Sequence, residues 1–222
     1  MATRADLDAA KKARVKVRAR SIIQKLKVLY PDAKCFLNYQ QSHELLIATI
    51  LSAQCTDKRV NAITPALFAA FPSVHSFASA KPAAIEKFIL SAGLYTNKAK
   101  NIVSAMQLIE QKYAGCIPCD RSDLESLPGV GRKTASVVLY NAFDQPAIAV
   151  DTHVLRLSRR MGISLQSTPE KVEVDLMNLL PEKDWGLSSH LLISHGRKVC
   201  TARRPRCAIC LLNRQCPRIG VL

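Results

Sequence analysis

Leu127-Pro128-Gly129-Val130-Gly131-Arg132-Lys133-Thr134-Ala135 is the stretch on which the reading of this chain turns. It sets a Pro-Gly break and a second glycine between two helical patterns, a short helix expected from Asp123 to Leu127 and a longer one opening near Arg132. Together they read as a helical hairpin. Gly129 and Gly131 permit the turn and a close approach of backbone to backbone, and Val130 can fill the gap between the helices. The turn amides and the positive end of the second helix can hold a phosphate. A turn of this kind also serves as an ordinary helix connection, so the hairpin alone leaves both uses open.

Outward from the hairpin the pattern stays helical. Apolar residues recur three or four apart at Ile85, Phe88 and Ile89, at Ile102, Met106 and Ile109, and at Val172, Leu176 and Leu179. Sustained alternation is scarce, so the expected class is all-α. Residues 44–54, from Glu44 to Gln54, are apolar almost all round and suit a central helix buried on every side. Breaks fall at Phe71-Pro72, Lys81-Pro82, Ala92-Gly93, the Gly115-to-Cys119 stretch and Gln145-Pro146. No repeat of solenoid period appears.

The net charge of +15 comes from 32 Lys and Arg against 17 Asp and Glu. It is concentrated at the two ends. Lys11, Lys12, Arg14, Lys16, Arg18, Arg20, Lys25 and Lys27 occur without an acid among them, as do Arg197, Lys198, Arg203, Arg204, Arg206, Arg214 and Arg218. A polyanion explains two uncompensated basic segments, nucleic acid ahead of an anionic membrane, because each neutralised phosphate releases counterions. Basic tails kept for solubility are the plain alternative. No stretch approaches the roughly 18 apolar residues of a membrane span, so a soluble intracellular protein is expected.

Of eight cysteines, four are ordered as C-x6-C-x2-C-x5-C: Cys200, Cys207, Cys210 and Cys216. Four thiolates so close in sequence can wrap one compact metal centre, and soft sulfur selects zinc or an iron–sulfur cluster. Zinc sites more often use two separated C-x2-C pairs, whereas one nested pair with longer outer arms is closer to a cubane cradle. The spacing leaves the metal undecided. Arg203, Arg204 and Arg206 lie between the first two ligands, where a pinned loop would hold them at fixed spacing against a phosphate backbone. Cys116 and Cys119 flank Ile117-Pro118 in an expected loop and read as incidental; Cys35 and Cys55 read as packing residues.

Lys133 lies two residues past the turn. It can bind a phosphate or act as an amine nucleophile, and the latter must be neutral; the positive helix end and Arg132 beside it favour the neutral amine, and partial burial would add to this. In Val150-Asp151-Thr152-His153-Val154, Asp151 reads as a helix N-cap. A capping carboxylate is a weak base but a good partner for positive charge developing on a substrate. His153 reads as a packed histidine, since no nucleophilic triad accompanies it.

With these residues in view, the chain resembles the endonuclease III family of the helix-hairpin-helix, Gly-Pro-Asp DNA glycosylase superfamily over roughly residues 20 to 217. The resemblance rests on Leu51-Ser52-Ala53-Gln54-Cys55-Thr56-Asp57, Gly93-Leu94-Tyr95, Leu127 to Ala135, Val150 to His153 and the cysteine pattern. It implies two all-α domains with a DNA cleft between them: a six-helix barrel at 35–145 with the helix-hairpin-helix at about 121–140, and a second domain from 1–34 plus 146–222. It further implies a [4Fe-4S] cluster on Cys200, Cys207, Cys210 and Cys216 in a loop at 200–216, Lys133 as the Schiff-base lysine and Asp151 as the catalytic aspartate. Gln54 matches the residue that fills the gap left by an everted base, and Leu94 one that wedges into the duplex. Gly129, Val130 and Gly131, with Arg203, Arg204 and Arg206, are the other expected DNA contacts.

The implied activity is that of a base-excision DNA glycosylase and AP lyase removing oxidised pyrimidines, with strand cleavage 3′ to the abasic site by β-elimination. The expected partner is double-stranded DNA with damaged pyrimidines or abasic sites, bound by a monomer without a membrane. The expected location is cytoplasmic, at the nucleoid; a mitochondrial or nuclear one stays open. Ala92 stands where some relatives carry a bulkier wedge, which leaves intercalation to Leu94. Competing readings are a monofunctional adenine glycosylase, whose family lacks a lysine at the position of Lys133, a non-catalytic helix-hairpin-helix protein, and a zinc-stabilised binding module.

Overall fold

The computed structural model describes residues 4–221, with side chains from Ala9 onward. Among these residues there are helices and turns and no strand, so the all-α reading holds. The helices are α1 (Arg4–Leu29), α2 (Ser42–Leu51), α3 (Asp57–Ala70), α4 (Val74–Ala78), α5 (Pro82–Ile89), α6 (Tyr95–Tyr113), α7 (Arg121–Glu125), α8 (Arg132–Phe143), α9 (Thr152–Arg160), α10 (Pro169–Leu179) and α11 (Trp185–Lys198). Short 3-10 turns follow at Leu90–Ala92, Glu182–Asp184 and Cys207–Ile209. No described helix is long and apolar enough to cross a membrane. The chain divides into two compact units, one from both chain ends, up to Lys34 and from Pro146, and the other Cys35–Gln145.

The Cys35–Gln145 unit is organised by α2, every one of whose residues from Leu45 to Leu51 is buried. The all-round apolar pattern at Glu44–Gln54 means what it says, but the helix stops earlier than that pattern. Ser52 is the C-cap and Gln54 turns to φ 54°, a left-handed conformation that ends helical pairing. Helices α3, α6 and α8 pack on α2, while α4 and α5 pack on α6. Phe77, fully buried, meets the rings of His43, Phe68 and Phe71 at centroid distances of 5.2–6.5 Å.

The unit made from the chain ends has its own core. Ala19, Ile22, Ile23 and Leu26 form one stripe of α1 at helical spacing and are fully buried against residues such as Val154, Leu157, Leu176, Leu191 and Leu192. Each of the buried Ile, Leu and Val side chains contributes about 1.5–3 kcal/mol. The basic face of α1 is only partly free for a partner. Lys27 forms a 2.6 Å ion pair with buried Asp184, and Arg18 and Arg20 donate to the carbonyls of Gly162 and Leu179.

Candidate active site and cysteine loop

The hairpin forms, two residues out of the expected register on its first helix. Asp120 accepts from the N–H groups of Ser122 and Asp123, which starts α7 at Arg121 and ends it at Glu125. Leu127 then lies in the turn, and Arg121 Nη1 donates to Ser136 Oγ, tying α7 to α8. Val130 is buried and its N–H donates to the Leu127 carbonyl, so it supports the turn and offers a ligand neither side chain nor amide.

The two glycines differ. Gly129 has φ +79°, and a Cβ there would sit 3.0 Å from Asn101. Gly131 has φ −103° and open space where a Cβ would be; it is the N-cap of α8 and supplies no side-chain cap to the helix's first turn. Gly129→Ala is therefore expected to cost about 2 kcal/mol, from left-handed backbone strain and crowding against Asn101. Gly131→Ala should cost about 0.5–1 kcal/mol, the difference at a helix cap. Urea denaturation checks the pair.

Lys133 follows in the first turn of α8 with its side chain exposed rather than partly buried, so any desolvation at this amine must come from what binds over it. Gln54 and Leu94 are also exposed, Leu94 at 59%, and both have left-handed backbone, φ 54° and 48°. Left-handed conformations at non-glycine residues are uncommon and gather at functional sites.

In the other unit, half-buried Asp151 caps α9, accepting from Val154 N–H at 2.8 Å. His153 packs: its Nδ1 is 3.1 Å from an Arg156 Nη2, and a Cβ on Gly196 would meet it at 2.8 Å.

Cys200, Cys207, Cys210 and Cys216 line one cavity, with Arg160, His195 and Leu212 among its other walls. Burial pushes the Cys210 thiol up; the Leu212 amide opposes this, and the other three cysteines push it further. Burial likewise raises Cys216, with Cys200 and Cys207 adding to it. Four sulfurs around one cavity, two of them with their ionised form disfavoured by burial and by the cysteines beside them, fit a site whose charge a metal centre balances. Among the described residues no three His, Cys, Asp or Glu side chains converge as ligands of a single ion. Cys116 and Cys119 are exposed and reduced, and Cys35 and Cys55 half-buried and reduced.

Two arginines absent from the sequence reading organise this loop. Arg156 donates to the carbonyls of Gly196 and Cys200, at 3.2 and 3.0 Å. Arg160, only 8% exposed, donates to the carbonyls of Thr201 and Ala202 at 2.7 Å and to Cys200 Sγ at 3.5 Å. The only sequence signal was their i, i+4 spacing on the helix that Asp151 opens. Buried His195 bridges Tyr30 Oη, at 2.9 Å, to Cys210 Sγ, at 3.5 Å, and burial lowers it to about 4. Arg203, Arg204 and Arg206 all project exposed from the anchored loop.

The model of the HhH-GPD superfamily of base excision DNA repair proteins matches residues 47–182. An endonuclease III of Synechocystis sp. is 49% identical over 208 residues, 93% of this chain and 95% of its own length. That of Bacillus subtilis is 44% identical, with 87% of this chain and 89% of its own covered. The solved structure of a trapped endonuclease III–DNA covalent intermediate superposes with a TM-score of 0.87 at 42% identity, covering 91% of this chain and 96% of that one. An anchored four-cysteine loop, a helical hairpin with an exposed lysine, and these likenesses over nearly the whole length agree: the chain belongs to the HhH-GPD superfamily of base excision DNA repair proteins, among its endonuclease III members.

Proposed function

We propose that the chain is a bifunctional DNA glycosylase and AP lyase that removes oxidised pyrimidines from duplex DNA, acting as a cytoplasmic monomer at the nucleoid. The observation that carries this reading is the exposed amine of Lys133 beside the uncapped N-terminus of α8, in a chain 42% identical to an endonuclease III caught in a covalent intermediate with DNA. A phosphate beside the lesion binds at the hairpin turn and first turn of α8, and the damaged nucleotide leaves the stack. Neutral Lys133 Nζ attacks the sugar C1′; the glycosidic bond breaks and its electron pair leaves with the base. Asp151 stabilises the positive charge that develops on the sugar. Nζ then gives up a proton and its lone pair opens the sugar ring, breaking C1′–O4′ as O4′ takes up a proton; the resulting imine acidifies C2′–H, and loss of that proton expels the 3′ oxygen, which breaks the strand. Gln54 and Leu94 occupy the gap and hold the duplex open.

Cys200, Cys207, Cys210 and Cys216 would hold a [4Fe-4S] cluster. Bound there it supplies structural cross-linking of the loop, not chemistry on the sugar. Arg156 and Arg160 hold the first part of that loop by its carbonyls, and Arg203, Arg204 and Arg206 contact phosphates. Gly131, with open space at its Cα, allows close approach of the DNA backbone, so Gly131→Ala should lower DNA affinity as well as sparing the fold.

The reading is tested by incubating the protein with duplexes containing an oxidised pyrimidine and resolving base release from strand cleavage. Asp151→Asn sharpens the test. Asparagine also caps helices, so melting temperature should hold, while base release slows by about a hundredfold or more. Unchanged base release in this variant assigns Asp151 to capping alone.

A further inference from the structure

Lys98 is 5% exposed, on α6 inside the Cys35–Gln145 unit, and its role was not legible in sequence. Its ammonium donates to three backbone carbonyls: Leu51 at 2.9 Å, Ala53 at 2.6 Å and Ala92 at 2.7 Å. The first two belong to the chain running off α2 into Gln54. The third ends the turn running into Gly93 and Leu94. Burial pushes the ammonium's pKa down, with Cys55 acting oppositely, and three carbonyl oxygens at these distances hold the proton in place.

We propose that Lys98 is a positioning residue that clamps the two insertion segments, at Gln54 and at Leu94, into one preformed tool for entering damaged DNA. The inference rests on the reading of those two residues as DNA contacts. A buried ammonium is a costly way to fill space, and methionine would pack the same volume without needing acceptors. What the ammonium adds is geometry: it converges the ends of two helical segments by the carbonyls that helix termini leave unsatisfied. Immediately beyond the clamp, Gln54 and Leu94 both hold left-handed backbone. Such conformations persist only where the surroundings over-determine them. The two segments also adjoin, for a Cβ on Gly93 would lie 4.0 Å from the Gln54 carbonyl. Neither residue needs contact with Lys98's side chain to depend on it.

Lys98→Met and the milder Lys98→Gln, which keeps a donor, are compared with wild type after circular dichroism and melting establish which are folded. Binding is measured to a duplex with a tetrahydrofuran abasic analogue and to the undamaged duplex, with 2-aminopurine opposite the analogue to report opening of the stack. Affinity for the analogue should fall about tenfold or more and the fluorescence rise should vanish, while undamaged binding changes less than about twofold, because misplacement of a positioned group penalises the specific complex alone. In a Gln54→Ala, Leu94→Ala background the Lys98 substitution should cost nothing further. Wild-type discrimination in a folded Lys98 variant overturns the clamp, as does an equal loss on both duplexes or a full additional loss in the double background. If Gln54→Ala, Leu94→Ala itself binds the analogue like wild type, the reading of those residues falls and takes the inference with it; if only the Lys98 variants do so, the inference falls alone.

Discussion

Lys133→Ala is expected to bind DNA carrying an abasic site and to form no covalent adduct when borohydride is added, whereas the wild-type chain is trapped. The fold gives this substitution little to disturb. Lys133 is exposed in the first turn of α8, where alanine is the best helix former, and the buried face of that helix is carried by Ala135, Val138 and Leu139. Melting temperature should stay within a degree or two of wild type, about the effect of a surface change. Strand cleavage should fall by about a thousandfold or more, as when a covalent nucleophile is removed. A phosphate-binding role predicts otherwise: affinity would weaken by about one counterion's worth and the adduct would survive. Lys133→Arg separates the two roles further. It keeps the cation for phosphate but cannot supply a neutral amine, so it should restore affinity and leave trapping at zero. A wild-type chain that gives no adduct would sink the lyase reading.

Why the hairpin was legible and its surroundings were not follows from what each depends on. The turn needs Gly129 at φ +79°, and the uncapped α8 needs no residue beyond Gly131, so local chemistry shows in the letters. The interior of α2 was legible for a similar reason, since an all-round apolar run can only be buried. Its end was not. Ser52, Ala53 and Gln54 carry no helix-breaking residue, and the helix stops in a region held by a lysine more than forty residues away. The start of α7 was misplaced because Asp120 was not recognised as its cap.

Charge shows the same division. Counting placed fifteen uncompensated cations at the chain ends, but tertiary structure ties Arg18 and Arg20 to carbonyls and Lys27 to Asp184. The cysteine spacing marked out the loop, whose four sulfurs do line one cavity, yet the arginines that hold its backbone stand on α9, some forty residues earlier. Which cation serves a loop's carbonyls depends on how helices pack, and no spacing rule reports that.

With the proposed [4Fe-4S] cluster on its four cysteines, Cys210→Ser should produce a protein that lacks an iron chromophore and whose helices remain folded while its loop does not. Beyond α11 the only described regular element is the short turn Cys207–Ile209, and Leu212 is the only loop residue fully buried in the unit's core. Ile209 and Leu211 are each 68% exposed, so apolar burial gives the loop little hold. The side chains of Arg156 and Arg160 reach the carbonyls of Gly196 and of Cys200 to Ala202. Beyond them the loop is tied by a few single bonds, Arg206 N–H to the Val199 carbonyl, Ser21 Oγ to Gln215 Oε1 and Ile219 N–H to the Arg160 carbonyl, which leaves the stretch from Arg203 to Cys216 largely dependent on its four sulfurs. Cys200, Cys210 and Cys216 pack against the core on α1, α9, α10 and α11 only as partly buried side chains, while its fully buried residues are aliphatic, so helix content by circular dichroism should be nearly unchanged. Limited proteolysis should cut first between residues 203 and 216. Affinity for DNA should fall about tenfold or more, with and without a lesion, because Arg203, Arg204 and Arg206 then meet phosphates from a disordered chain and lose entropy on binding. This loss on both duplexes is the opposite of the selective loss expected at Lys98, so the pair separates grip from insertion. Metal analysis of the wild type completes the test: iron with inorganic sulfide supports the cluster, whereas one zinc and no iron overturns it.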